Sequence, residues 1–339
     1  MTKAFVSGCA GLTLTGDEIA FFRDADPWGL ILFARNVETQ DQLRALTSAF
    51  RDAVGRHNAP VLVDQEGGRV QRLRPPNWPK YPAPKLYGDL FRSDPAKGER
   101  AAWLGARLIA ADLVEVGINI DCLPCLDVRF PDTVDAIGDR ALSGDPDVVA
   151  RLGQAMIDGA LSGGVLPVIK HIPGHGRARV DSHLELPRVE ADISALKDVD
   201  FRPFQALSGV SLGMTAHIIY NEIDPETAGT QSAKVIQDVI RKEIGFAGCL
   251  MSDDISMKAL GGDYVQRSRK IIEAGCDIVL HCNGEMSEMV AVAEAVPDLS
   301  GEAAHRCAAA LKGLNPPEPG FDKSAAWGEF GDITGLHSA

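Results

Sequence analysis

Eight short apolar runs recur along this chain, each followed by a longer stretch in which apolar residues return at helical spacing. The runs are AFVSGCA (4–10), GLILFA (29–34), PVLVDQ (60–65), INIDCLP (118–124), VLPVIKH (165–171), SLGMTAH (211–217), GCLMSDD (248–254) and DIVLHC (277–282). Most are continuously apolar rather than alternating, the pattern of a strand buried on both faces. The stretches between them carry helix punctuation. TQDQLRALTSAFRDAVG opens on a capping threonine, Thr39, and closes on Gly55, while SAKVIQDVIRKEIG and DVVARLGQAMIDGALSGG also end in glycine. Strand followed by helix, repeated eight times, predicts a single-domain α/β fold, a parallel (β/α)8 barrel of the TIM type. An open doubly wound sheet is the rival. Its dinucleotide-binding version is weakened because no G-x-G-x-x-G follows an early strand. The barrel is expected to occupy residues 1–312. Residues 313–339 are rich in Pro and Gly and read as a C-terminal tail that packs on the barrel through Trp327 and Phe330 or is partly disordered.

Charge narrows the choice of partner. Lys and Arg number 34 against 47 Asp and Glu, a formal net charge of −13, and no basic run breaks that balance. Such a surface repels polyanions, which makes nucleic acid and anionic membrane poor partners. The N-terminus, MTKAFVSGCAGLTLTG, lacks a secretory apolar region, and no later run is long enough to span a bilayer. The seven cysteines are scattered and sit mostly in apolar runs (Cys122, Cys249, Cys276), as suits buried thiols in a reducing cytoplasm. Cys122 and Cys125 form a C-x-x-C, but with no second pair nearby core packing is the better reading. Oligomeric state is left open.

In a barrel of this kind chemistry collects at the carboxyl ends of the strands. The polar residues follow that rule. Asp64 ends the third run and is followed by QEGGRVQR. Lys170 and His171 end the fifth, His217 the sixth, Asp253 and Asp254 the seventh, and His281 closes the eighth. A single Asp in such a place reads equally well as a helix cap. Several separate strands ending in ionisable groups predict one shared pocket. Arg69 and Arg72, behind Asp64, are equipped to grip a hydroxyl-rich ligand. Arg140, in AIGDRAL (136–142), reads either as a surface-loop residue or as one that reaches over the barrel mouth. A zinc-dependent barrel hydrolase would show His-x-His at a strand end. Here the ammonium of Lys170 stands beside the imidazole of His171, which disfavours a cation, and no metal is expected.

Taken in order, VDQEGGRVQR, IGDR, KHIPGHG with the later DSH, MTAHIIY and SDDISM closely resemble the bacterial β-N-acetylhexosaminidases of glycoside hydrolase family 3, of the single-domain type, over roughly residues 27–290. The family's K-H-F-P-G-H-G has Ile172 in place of Phe here, an apolar exchange. The resemblance implies a (β/α)8 barrel that removes terminal β-linked N-acetylglucosamine with retention of configuration. The substrate it implies is a small sugar or muropeptide from peptidoglycan, GlcNAc-anhydroMurNAc with or without its peptide, hydrolysed in cytoplasmic cell-wall recycling with no cofactor. It also implies Asp253 as nucleophile, His183 as acid/base, Asp181 as the partner of His183, and Asp64, Arg72, Arg140, Lys170 and His171 as sugar-binding residues. The alternatives are a family-3 β-glycoside hydrolase or phosphorylase of other specificity and a non-catalytic sugar-binding barrel.

The physical chemistry is compatible with that scheme. Retaining glycosidases ordinarily use two carboxyl groups, one to attack and one to move the proton. A histidine with an ordinary pKa of ~6.5 can both give and take that proton near neutral pH. A neutral imidazole also activates water without adding a second negative charge beside Asp253. Asp254 reads as a cap or as support for its neighbour. Gly174 and Gly176 lend backbone freedom, so residues 174–184 are expected to form a mobile loop that carries His183 over the sugar.

Overall fold

The structure, a computed structural model, describes residues 1–180 and 186–336, so Asp181 and His183 lie outside the described residues. Each of the eight apolar runs contributes one strand: β1 (Lys3–Ser7), β2 (Pro27–Leu32), β3 (Val61–Val63), β4 (Ile120–Asp121), β5 (Leu166–Ile172), β6 (Leu212–Thr215), β7 (Cys249–Asp254) and β8 (Ile278–His281). Each pairs in parallel with its neighbour in sequence, and β8 pairs with β1 to close the barrel. The open sheet is thereby excluded.

Side chains on successive strand positions point to opposite faces, which builds two apolar layers from the same runs. Val6, Ile31, Leu62, Val168, Leu212 and Met251 fill the barrel. Phe5, Leu30, Val63, Ile169, Leu250 and Val279 face outward and pack under the helices. Both faces are dry, which is why the runs show no alternation.

The connecting helices begin and end where their sequences indicate. In the helix Gln40–Val54 the Thr39 side chain accepts the Gln42 N–H at 3.2 Å, and Gly55 ends it with φ +65°, a left-handed conformation that glycine adopts without steric cost. Leu43, Leu46, Thr47 and Phe50, at helical spacing, form its buried face. In the C-terminal segment, the helix Lys323–Thr334 lies against the helices Lys85–Ser93 and Pro95–Glu115. Phe330 meets Tyr87 with ring centroids 6.5 Å apart, and Glu329 takes both Arg100 N–H groups at 2.7 Å. Among the described residues no helix is long and apolar enough to cross a membrane.

One insertion shapes the barrel mouth. After β3 the chain turns into an antiparallel hairpin, Gln65–Gly67 with Val70–Gln71. Gly67 and Gly68 have φ +97° and +58°, and a Cβ on Gly67 would fall 2.2 Å from the Pro82 carbonyl oxygen. The glycine pair is therefore demanded by backbone geometry and close approach. The hairpin brings Arg72 back over the strand end it left.

Candidate active site

A cavity of about 300 Å³ opens at the carboxyl end of the barrel, and Asp64, Arg72, Arg140, Lys170, His171, Asp253 and Asp254 all line it. They come from three barrel strand ends, the hairpin after β3 and one long loop. Met214, Met257, Leu280 and Phe33 supply apolar walls.

One side of the cavity is a charge network. Lys170, at 1% exposure, sends its ammonium to Asp64 Oδ1 and Glu66 Oε1, each at 2.7 Å. Arg140 grips Glu66 with two N–H groups at 2.9 and 2.8 Å, and Arg72 reaches Asp64 Oδ2 at 3.2 Å. Burial by itself pushes the Asp64 and Glu66 carboxyls up. The neighbouring cations outweigh it and hold both well below the usual carboxylate range. Burial likewise pulls the Lys170 ammonium down, and Asp64 and Glu66 more than reverse this, so it stays charged. Two carboxylates facing three cations make a wall suited to hydroxyl groups, which can both donate and accept.

Asp253 and Asp254 close the opposite side from the end of β7. Their surroundings differ. Asp254 spends Oδ1 on the N–H groups of Ser256 at 3.0 Å and Cys282 at 3.2 Å, and Oδ2 on the Ser256 hydroxyl. Asp253 Oδ1 accepts the Asp254 N–H at 2.8 Å. Asp254 is thus a turn cap that ties β7 to β8.

The strand-end rule gathers some residues and misplaces others. Lys170 and His171 are consecutive, yet both line the cavity, and the peptide bond joining them is cis. His217 is fully buried behind the acids and holds the Asp254 carbonyl oxygen through Nε2 at 3.0 Å. Burial pushes its pKa down. His281 does not join the pocket at all. Leu280 takes the inward position, so the next residue points outward, where His281 pairs with Glu288 at 2.9 Å and stands edge-on to Tyr264. Arg69 also leaves the ligand side. It braces the carbonyls of Ala136 at 2.8 Å and Ile137 at 3.2 Å and pairs with Asp139, which holds in place the loop that carries Arg140. At the start of the segment expected to be mobile, Gly174, His175 and Gly176 are buried, and Tyr220 Oη donates to the Gly174 carbonyl at 2.8 Å; residues 181–184 of it lie outside the described residues.

Sequence reasoning passed over two buried acids. Glu66, the second acid of DQEGG, joins the Lys170 and Arg140 network. Asp127 lies six residues past the end of β4, in the apolar stretch CLPCLDV, and an acid inside an apolar stretch was the available signal. Its Oδ2 receives His171 Nδ1 at 2.7 Å and the Cys125 thiol at 3.2 Å. Cys125, Asp127 and His171 have donor atoms within 4.8 Å of one another, the arrangement of a metal-ligand set. Their protons already organise it, however. Burial foremost, then Asp127, pushes the Cys125 thiol well up, so it stays protonated and donates to the carboxylate.

Comparison with known proteins agrees with this picture. Residues 22–312 match the family model of the glycosyl hydrolase family 3 N terminal domain. The β-hexosaminidase of Alkalilimnicola ehrlichii is 41% identical over 281 residues, covering 81% of this chain and 79% of its own. That of Aromatoleum aromaticum is 36% identical over 301 residues, covering 88% and 84%. The crystal structure of NagZ from Neisseria gonorrhoeae in complex with N-trifluoroacetyl-D-glucosamine superposes with a TM-score of 0.88 at 30% identity, over 99% of this chain and 98% of that one.

Proposed function

This chain belongs to glycosyl hydrolase family 3 and is a β-N-acetylhexosaminidase, and we propose that it works as a retaining exo-enzyme on peptidoglycan fragments. The observation that carries the reading is the cavity itself: Asp253 shares it with Asp64, Arg72, Arg140, Lys170 and His171. The polar wall binds the hydroxyls of a terminal N-acetylglucosamine, and Asp253 lies opposite, on a strand end. A rigid strand end suits a nucleophile, whose distance to the anomeric carbon must be held. Asp254 serves the turn, capping Ser256 and tying β7 to β8 through Cys282.

In the first step Asp253 attacks the anomeric carbon while His183, in its protonated form, gives a proton to the glycosidic oxygen. The bond to the aglycone breaks, and the aglycone leaves as an alcohol. In the second step the same histidine, now neutral, takes a proton from water. That water attacks the anomeric carbon, displaces Asp253 and releases the sugar with its configuration retained. Asp181 orients the ring and stabilises its charged state. Lys170 and Arg140 stay positively charged throughout, which keeps the wall able to donate at every stage.

The substrate we favour is GlcNAc-anhydroMurNAc, with or without its peptide, in cytoplasmic cell-wall recycling. An N-acyl glucosamine is the ligand of the Neisseria gonorrhoeae NagZ structure, which supports the sugar assignment. All seven cysteines are free and buried, which suits a reducing compartment. Trapping with a 5-fluoro N-acetylglucosaminide, which keeps the 2-acetamido group, followed by peptide mapping tests the chemistry. A covalent label on Asp253 is expected. A label on another residue, or turnover with no trapped species, removes Asp253 from the role.

A further inference from the structure

Asp127 stands in the segment after β4, six residues past Asp121, and is fully buried, with 0% exposure. Four donors converge on it. Oδ2 receives His171 Nδ1 at 2.7 Å and the Cys125 thiol at 3.2 Å, and Oδ1 receives the backbone N–H groups of His175 at 2.6 Å and His171 at 3.3 Å. An ionised carboxylate offers about four lone-pair sites, so this one is used in full. Burial alone would push its pKa up. The His171 ring, followed by His175, reverses that and holds it well below the usual range.

The two oxygens have different tasks. Oδ1 ties backbone, as a simple staple would. Oδ2 is directed at a side chain that lines the cavity. By accepting from Nδ1 it fixes the proton there, and Nε2 becomes the nitrogen that faces a ligand. A hydrogen-bond partner on one ring nitrogen sets both the tautomer and the orientation of the other. The His171 and His175 rings also meet edge to face, with centroids 5.5 Å apart, which hinders rotation.

We propose that Asp127 is a positioning residue for glycoside hydrolysis, acting through His171 by holding Nε2 toward the sugar. This rests on the reading of the cavity as the sugar site. In Asp127→Asn the amide NH₂ must face either the two backbone N–H groups, which cannot accept from it, or the ring, which can accept only by moving its proton from Nδ1 to Nε2.

The test is a double-mutant cycle on an aryl N-acetylglucosaminide, with folding checked by thermal unfolding. Asp127→Asn is expected to lower kcat/KM by about 10–100-fold in the otherwise native enzyme, the usual range for a partner that orients a ligating histidine. In a His171→Ala background the same change is expected to cost less than about 3-fold, since there is no ring left to orient. Equal losses in both backgrounds would mean a purely structural role and overturn the proposal. If His171→Ala alone leaves kcat/KM unchanged, the sugar-site reading falls and takes the proposal with it. Should Asp127→Asn fail to fold, ¹⁵N-histidine NMR of the native enzyme decides. A proton on His171 Nδ1, with Nε2 shifting on addition of N-acetylglucosamine, supports the proposal, and a bare Nδ1 overturns it.

Discussion

At the amino end of the barrel Asp277, just ahead of β8, receives Arg241 at 2.9 Å, Arg306 Nη2 at 2.7 Å and the Leu250 N–H at 2.9 Å. At the carboxyl end Asp64 and Glu66 meet Lys170, Arg72 and Arg140. Both are buried ionic clusters built from distant segments. In the first, the protein's own donors converge on one carboxylate and lock two strands to two helical segments. In the second, Arg72 Nε is buried with no partner among the described residues, and the cluster borders a cavity of about 300 Å³. A buried donor left unmet costs free energy, on the order of 1–3 kcal/mol, unless a ligand meets it. The contrast separates an ionic cluster that serves the fold from one that waits for hydroxyl groups.

The sharpest test of that division uses Asp253. Asp253→Ala should lower kcat by at least about 10³-fold, roughly 4 kcal/mol in barrier height, with little change in thermal unfolding temperature. Activity retained within tenfold of native would deny the mouth its chemistry. Asp277→Ala should do the reverse. Removing the one acid strands two arginines and an amide, so stability should drop by about 3–5 kcal/mol in urea titration, while kcat per folded molecule holds. A variant of native stability but low activity would erase the distinction between the two ends.

A milder effect follows from pH. Burial pulls the His175 pKa down to about 4 and lowers that of His217 as well. The unfolded chain then takes up these protons first as pH falls, so stability is lost between about 6.5 and about 4. Asp64 and Glu66 are held low in the folded state, so their contribution persists above the ordinary carboxylate pKa and is lost as pH falls below about 4. Urea midpoints measured from pH 8 to 3 should show both declines, and Glu66→Gln should blunt the second. A flat profile would remove the charge network from the account of the mouth.

Much of this was legible in order of residues. The eight strands were readable because each run is apolar on both faces, and the structure shows the reason in the two layers that Val6 and Phe5 exemplify. Thr39 and Gly55 marked their helix because capping is local chemistry. Asp64, Lys170, His171 and Asp253 could be tied to one pocket because carboxyl strand ends of a barrel converge by construction.

Facing and partnership could not be read that way. Whether Leu280 or His281 points inward depends on the parity of the strand within the closed sheet, and one step reverses it. Arg69 and Arg72 are three residues apart in the same hairpin, yet one braces a loop and the other lines the cavity. Lys170 meets an acid 106 positions away, and His171 one 44 positions away. Local pattern determines which segments become strands and helices, because propensity and burial act over a few residues. Which buried acid holds which base is decided only when the barrel closes and brings those segments within the 3 Å reach of a hydrogen bond.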